Sequence, residues 1–82
     1  MPKPVGENGE KNLIQDRLVE ARAKKNLSQR ALAECLQRIG VDVDKNVITR
    51  IETGKRYVTD IELQAFAKIL DVSYEYLIDG KE

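Results

Sequence analysis

Between residues 44 and 57 the sequence gathers side chains suited to a polyanion. Asn46, Arg50 and Thr53 are spaced i, i+4 and i+7, so on a helix they share one stripe, with Lys45 and Thr49 beside it. These residue types match base edges. Arginine forks onto guanine O6 and N7, and asparagine fits adenine N6 and N7. Lysine reaches guanine or a phosphate, and threonine offers a hydroxyl or a methyl. No acid lies on the stripe, because Asp44 caps the helix and Glu52 points another way. The next residues, Gly54-Lys55-Arg56-Tyr57, put two adjacent cations on a turn, a placement that suits phosphates. Ser28-Gln29 opens the preceding helix, and the free N–H groups and dipole of a helix start also favour an anion. An exposed, solvated helix face uses the same residue types. What sets this one apart is that three phosphate-type elements flank one base-type helix.

Other chemistries are removed by composition. The chain has 82 residues, one Cys and no His. That cannot close a zinc tetrahedron, form a disulfide within the chain or assemble a histidine-activated nucleophile. There is no phosphate-cradling glycine loop, so neither an enzyme nor a cofactor is expected. No apolar run approaches a membrane span and no secretory signal is visible, so the expectation is a cytoplasmic domain. Fourteen basic and fourteen acidic residues sum to zero, but unevenly. Residues 1–16 carry −1, residues 17–56 carry +5 and residues 57–82 carry −4. All the polyanion-type elements fall in the basic portion.

The elements that must position these groups follow from periodicity and caps. Residues 1–11 hold both prolines and one aliphatic, Val5, and read as a disordered arm; residues 12–82 read as one domain. Asn12 with Gln15 has capping-box spacing for a first helix bearing Ile14, Leu18 and Ala21, with Asn26 as its stop. Ser28 opens a second helix with Ala31, Leu32, Cys35, Leu36 and Ile39 on one face, ended by Gly40. Cys35 reads as a core residue rather than a reactive thiol. Asp44 caps a third helix through Thr53, with Ile48 and Ile51 inward, and Gly54 stops it. Thr59 with Glu62 is a second capping box, before Leu63, Phe66, Ala67 and Leu70. Ser73 caps a last helix from Tyr74 to Ile78. No segment alternates as a strand does, which gives an all-α bundle of five short helices.

Arg22, Leu27-Ser28-Gln29, Leu32-Ala33, Ile48, Ile51-Glu52, Gly54, Leu63, Ala67, Leu70 and Val72-Ser73 together resemble the Cro/CI-type (XRE-family) helix-turn-helix domain of phage repressors and bacterial regulators. The resemblance spans roughly residues 13–79 and implies a lambda-repressor-like bundle whose third helix lies in the major groove. It implies base contacts from Lys45, Asn46, Thr49 and Arg50. It implies phosphate contacts from Gln29, Thr53, Lys55 and Arg56, and a structural salt bridge between Arg22 and Glu52. Val47 is expected to pack on the second helix rather than meet a thymine methyl. Two departures from the family pattern stand out. Residues 37–43 make the turn before the third helix about one turn longer, and Val58 stands where the family often has Pro.

The resemblance implies a sequence-specific regulator of transcription, a repressor, with double-stranded DNA as partner and no chemistry of its own. One short helix reads few base pairs, so a homodimer is expected. The chain is too short for a separate oligomerisation domain. Tyr74, Tyr76, Leu77 and Ile78 are more apolar than a final turn needs and make the candidate dimer face, although Leu77 and one Tyr can equally close the core. The competing reading is a protein-interaction module, an antitoxin or adaptor, on the same fold. An acid-free recognition stripe has no purpose there.

Overall fold

The computed structural model describes residues 5–6 and 9–81. Among them lie five helices and no strand: α1 Gln15–Lys24, α2 Gln29–Arg38, α3 Lys45–Glu52, α4 Asp60–Leu70 and α5 Tyr74–Asp79. Four starts are capped as the sequence predicts. The Ser28, Asp44 and Ser73 side chains accept from the N–H groups of Ala31, Val47 and Tyr76, and Thr59 and Glu62 form a reciprocal capping box.

Four of the helix ends share one solution. After α1, α2, α3 and α4 a residue with positive φ reverses the chain: Asn26 at 56°, Gly40 at 85°, Gly54 at 73° and Asp71 at 55°. The following N–H groups, of Leu27, Val41, Lys55 and Val72, then reach back to the carbonyls of Arg22, Leu36, Arg50 and Ala67. This is the Schellman closure, which satisfies carbonyls a helix end leaves free. At Gly54 the positive φ disfavours any side chain, and an added Cβ would also displace the end of the Gln15 side chain.

The core is a single cluster. Leu18, Leu32, Leu36, Val43, Ile48, Ile51, Phe66, Leu70 and Leu77 are fully buried, with contributions from all five helices and the α2–α3 turn. Val43 anchors that longer turn in the core, and the Gln37 amide donates to its carbonyl at 3.2 Å. The turn is therefore pinned at both ends, by Schellman bonds and by a buried valine. Val47 packs against the core, as expected.

Four sequence expectations need correction. Asn12 does not cap α1. Its Oδ1 accepts from Ile14 N–H, while its Nδ2 donates to the carbonyls of Ile51 at 3.0 Å and Arg56 at 2.9 Å, so the N-cap of α1 is Ile14, with no side-chain cap. The end of the expected arm is docked, because Lys11 N–H donates to Gly54 O at 2.9 Å, while a local bond from Gly6 N–H to Glu10 O at 2.8 Å turns the chain ahead of it. Residues 1–4, 7 and 8 of that arm lie outside the described residues. Cys35 is half-buried at the edge of the core rather than inside it. Tyr76 and Leu77 are buried, at 6% and 0% exposure, and so leave the proposed dimer face; Tyr74 and Ile78 remain on it at 48% and 38%. The reason is α5's length. At six residues it makes under two turns, and Leu77 must face Phe66's cluster to close the bundle, taking its neighbour Tyr76 with it.

Candidate nucleic-acid interface

Glu52, at the end of α3, is the hub that orients the helix pair. Its side chain is only 5% exposed. Arg22 of α1 meets it with a fork, Nε to Oε2 at 2.8 Å and Nη2 to Oε1 at 3.1 Å, and Arg22 also donates to Leu27 O at 3.0 Å. Gln29, the first residue of α2, donates to Glu52 Oε1 at 2.8 Å. Gln29 in turn accepts from the Thr49 hydroxyl at 3.0 Å. One network thus ties α1, the start of α2 and the middle of α3. The geometry of a forked arginine–carboxylate pair tolerates little rotation, so it fixes α1 against α3, and the bonds of Gln29 to Glu52 and Thr49 tie the start of α2 to the same point.

Against that frame, α3 turns a free polar face outward. Lys45, Asn46 and Arg50 are exposed and make no side-chain hydrogen bond or ion pair with any described residue. Thr49 is half-buried, its hydroxyl donating toward Gln29 and Lys45 O. The structure therefore brings the four expected base-reading residues onto one helix face, three of them with unspent donors. Lys55 follows on the turn, exposed and with no side-chain partner among the described residues. At the start of α2 the Gln29 and Arg30 N–H groups precede the helix ladder, because Ser28 caps Ala31 and Leu32 begins the ladder, so they stay available to an anion.

Two expected phosphate contacts are tied into the scaffold, Arg56 through three of its five N–H hydrogens and Thr53 through its single hydroxyl hydrogen; the Nε hydrogen and one Nη2 hydrogen of Arg56 bind no described residue. Arg56 spends Nη1 on Glu62 Oε1 at 2.9 Å and Tyr57 O at 3.1 Å, and Nη2 on Glu62 Oε2 at 3.1 Å. Its charge is neutralised by that pair. The hydrogen bond it donates to Glu62 raises the Arg56 pKa, against a burial effect that lowers it. Burial pushes the Glu62 carboxyl up, but the Arg56 hydrogen bond and the Thr59 N–H outweigh it and hold it below its ordinary value. Arg56 therefore anchors the α3–α4 loop to the α4 capping box. Thr53 likewise gives its hydroxyl hydrogen back to the helix, to Thr49 O at 2.9 Å and Arg50 O at 3.3 Å.

Asn12 is the positioning residue that sequence reasoning missed. Together with Lys11 it straps the chain ahead of α1 onto the last turn of α3 and the loop behind it. An Asn three residues before a Gln fits an N-cap equally well. Only the two carbonyls 39 and 44 residues away tell the roles apart.

Comparisons with known proteins agree with this arrangement. The family model described as helix-turn-helix matches residues 18–77. Among solved structures, the restriction-modification controller protein C.AhdI from Aeromonas hydrophila superposes with a TM-score of 0.68 at 30% identity, covering 78% of this chain and 86% of that one. The P22 c2 repressor protein, solved in complex with synthetic operator 9T in the presence of Tl+, superposes with a TM-score of 0.72 at 26% identity, covering 85% of this chain and 98% of that one. No curated protein matches. With its α2–α3 pair locked through Glu52, its outward α3 face and a family match across all five helices, the chain belongs to the helix-turn-helix family of DNA-binding transcriptional regulators.

Proposed function

We propose that the protein is a homodimeric, cytoplasmic repressor that lays α3 in the major groove of a two-fold operator and acts by occupying it, without catalysis. Lys45, Asn46, Thr49 and Arg50 contact bases. Lys55 and the start of α2 at Gln29, with Arg30 beside it, hold phosphates; Thr53 and Arg56 serve the scaffold instead. The observation that carries this reading is the free, acid-free α3 face on a helix pair fixed by Arg22, Gln29 and Glu52. That the P22 c2 repressor was solved on an operator supports it. The dimer surface is the apolar groove between α4 and α5, where Ile61 is 65%, Tyr74 48% and Ile78 38% exposed beside Leu63.

Selection of bound duplexes from a random pool tests this reading. A two-fold consensus with half-sites about 34 Å apart, one duplex turn or a multiple of it, is expected. Affinity should fall steeply with salt. Absence of any preferred sequence at low salt rejects the reading in favour of an interaction module.

A further inference from the structure

Thr49 sits among the base-reading residues, yet its chemistry differs from theirs. A threonine has one hydroxyl hydrogen, two lone pairs and a methyl group. Here the hydroxyl hydrogen has two acceptors inside the protein, Gln29 Oε1 at 3.0 Å and Lys45 O at 3.0 Å. Neither acceptor is casual. Gln29 is held by Glu52, which is held by Arg22, so Gln29 Oε1 is aimed at Thr49 by the network that fixes the helix pair. The Lys45 carbonyl belongs to α3 itself. Both contacts require the hydroxyl to face the α2 side and the preceding turn of the helix. The hydrogen is then unavailable to any acceptor on a base, which removes guanine O6 and N7 and thymine O4 as hydroxyl-bonded partners. What Thr49 has left for a ligand is its γ-methyl, together with the lone pairs of a hydroxyl oxygen that the two contacts turn toward α2 and the preceding turn of α3.

We propose, on the reading that α3 enters the major groove, that Thr49 is a specificity-determining residue that recognises a thymine through its 5-methyl group, by methyl–methyl contact rather than by a hydrogen bond. The groove offers one apolar group among its base edges, and that is the thymine methyl. Gln29 is the positioning residue: a side chain at a helix start sets how a residue on the next helix meets DNA. Lys45, Asn46 and Arg50 keep their donors for polar edges, so α3 reads with one apolar contact among polar ones.

The test removes one methyl from the DNA and leaves everything else in place. After the preferred duplex has been selected, each thymine of the half-site is replaced singly by deoxyuridine and affinity is measured at fixed salt. For the unaltered protein one replacement should weaken binding about fourfold, the worth of one buried methyl. Thr49→Val keeps the methyl and drops the hydroxyl, so it should remain sensitive at that same thymine. Thr49→Ser keeps the hydroxyl and drops the methyl, so it should bind the thymine and deoxyuridine duplexes alike. Indifference of the unaltered protein to every replacement overturns the proposal. So does sensitivity that persists in Thr49→Ser, since the methyl would then be read by another side chain. The deoxyuridine series and Thr49→Ser decide the matter even if Thr49→Val folds poorly. A random pool that yields no preferred duplex rejects the parent reading instead, before any thymine is replaced.

Discussion

Arg50 and Lys55 are five residues apart, both exposed and both without a side-chain partner among the described residues, but the backbone gives them different tasks. Arg50 projects from the helix, where a planar fork can meet the edge of a guanine. Lys55 follows a Schellman closure, where a point charge can meet a phosphate from many angles. Arg50→Ala should therefore cost about 1–3 kcal/mol of binding and relax preference at one base position, read by repeating the duplex selection. Lys55→Ala should weaken all sequences alike and flatten the salt slope by about one unit, read by titration at several ionic strengths. A changed consensus for Lys55→Ala would place that lysine on a base. Arg56, next in the chain, shows where sequence stops being informative. Two adjacent cations on a turn look equivalent until Glu62, six residues on, is seen to take one of them.

At the scale of elements, helix existence was legible and the long-range ties between helices were not. Caps are local signals. Ser28, Asp44, Thr59, Glu62 and Ser73 act within three residues, and Gly40 and Gly54 impose a φ that their residue type announces. Asn12 acts across 39 and 44 residues, and no spacing encodes that. The α3 stripe was legible because a helix repeats. The buried side of α5 was not, because six residues are too few for a period to show. Two predictions belong here. Glu52→Ala should destabilise the fold by about 3–5 kcal/mol, as removal of one partner of a buried ion pair does, and a denaturant titration reads it. Glu62 has a second signature. Its folded pKa is held below the ordinary glutamate value, so its stabilising contribution is present above that value and is lost as pH falls through the folded pKa. The stability gap between the unaltered protein and Glu62→Gln should therefore shrink between about pH 7 and about pH 3, and a constant gap would deny the ionised pair its role.

The whole molecule is neutral, with +5 on residues 17–56 and −4 on residues 57–82. The basic portion carries α3, Lys55 and the α2 start, whereas the acidic portion carries α4, α5 and the apolar groove. Neutrality should keep non-specific affinity for DNA modest, so on the proposed reading operator choice is expected to lean on base contacts and on pairing of two copies. Ile78→Asp introduces a charge at an exposed site beside Tyr74 and Ile61 without entering the core. It should halve the mass seen by light scattering and weaken operator binding while leaving the helical circular dichroism intact. A dimeric mass unchanged by Ile78→Asp would remove the groove from the interface.

The strap at Lys11 and Asn12 also sets the order in which a newly made chain becomes competent. Synthesis delivers Asn12 first, but its acceptors on Ile51 and Arg56 come 39 and 44 residues later. Arg22 likewise waits for Glu52, 30 residues on. Neither tie can close while the chain is still short of them, so α3 is clamped from both sides only when most of the domain has emerged. A nascent chain halted before Arg56 carries α3 with Arg22, Gln29 and Glu52, but it lacks one acceptor of the strap and all of α4 and α5, whose Phe66, Leu70 and Leu77 complete the core. A ribosome-bound intermediate should not occupy the operator in place of the finished protein.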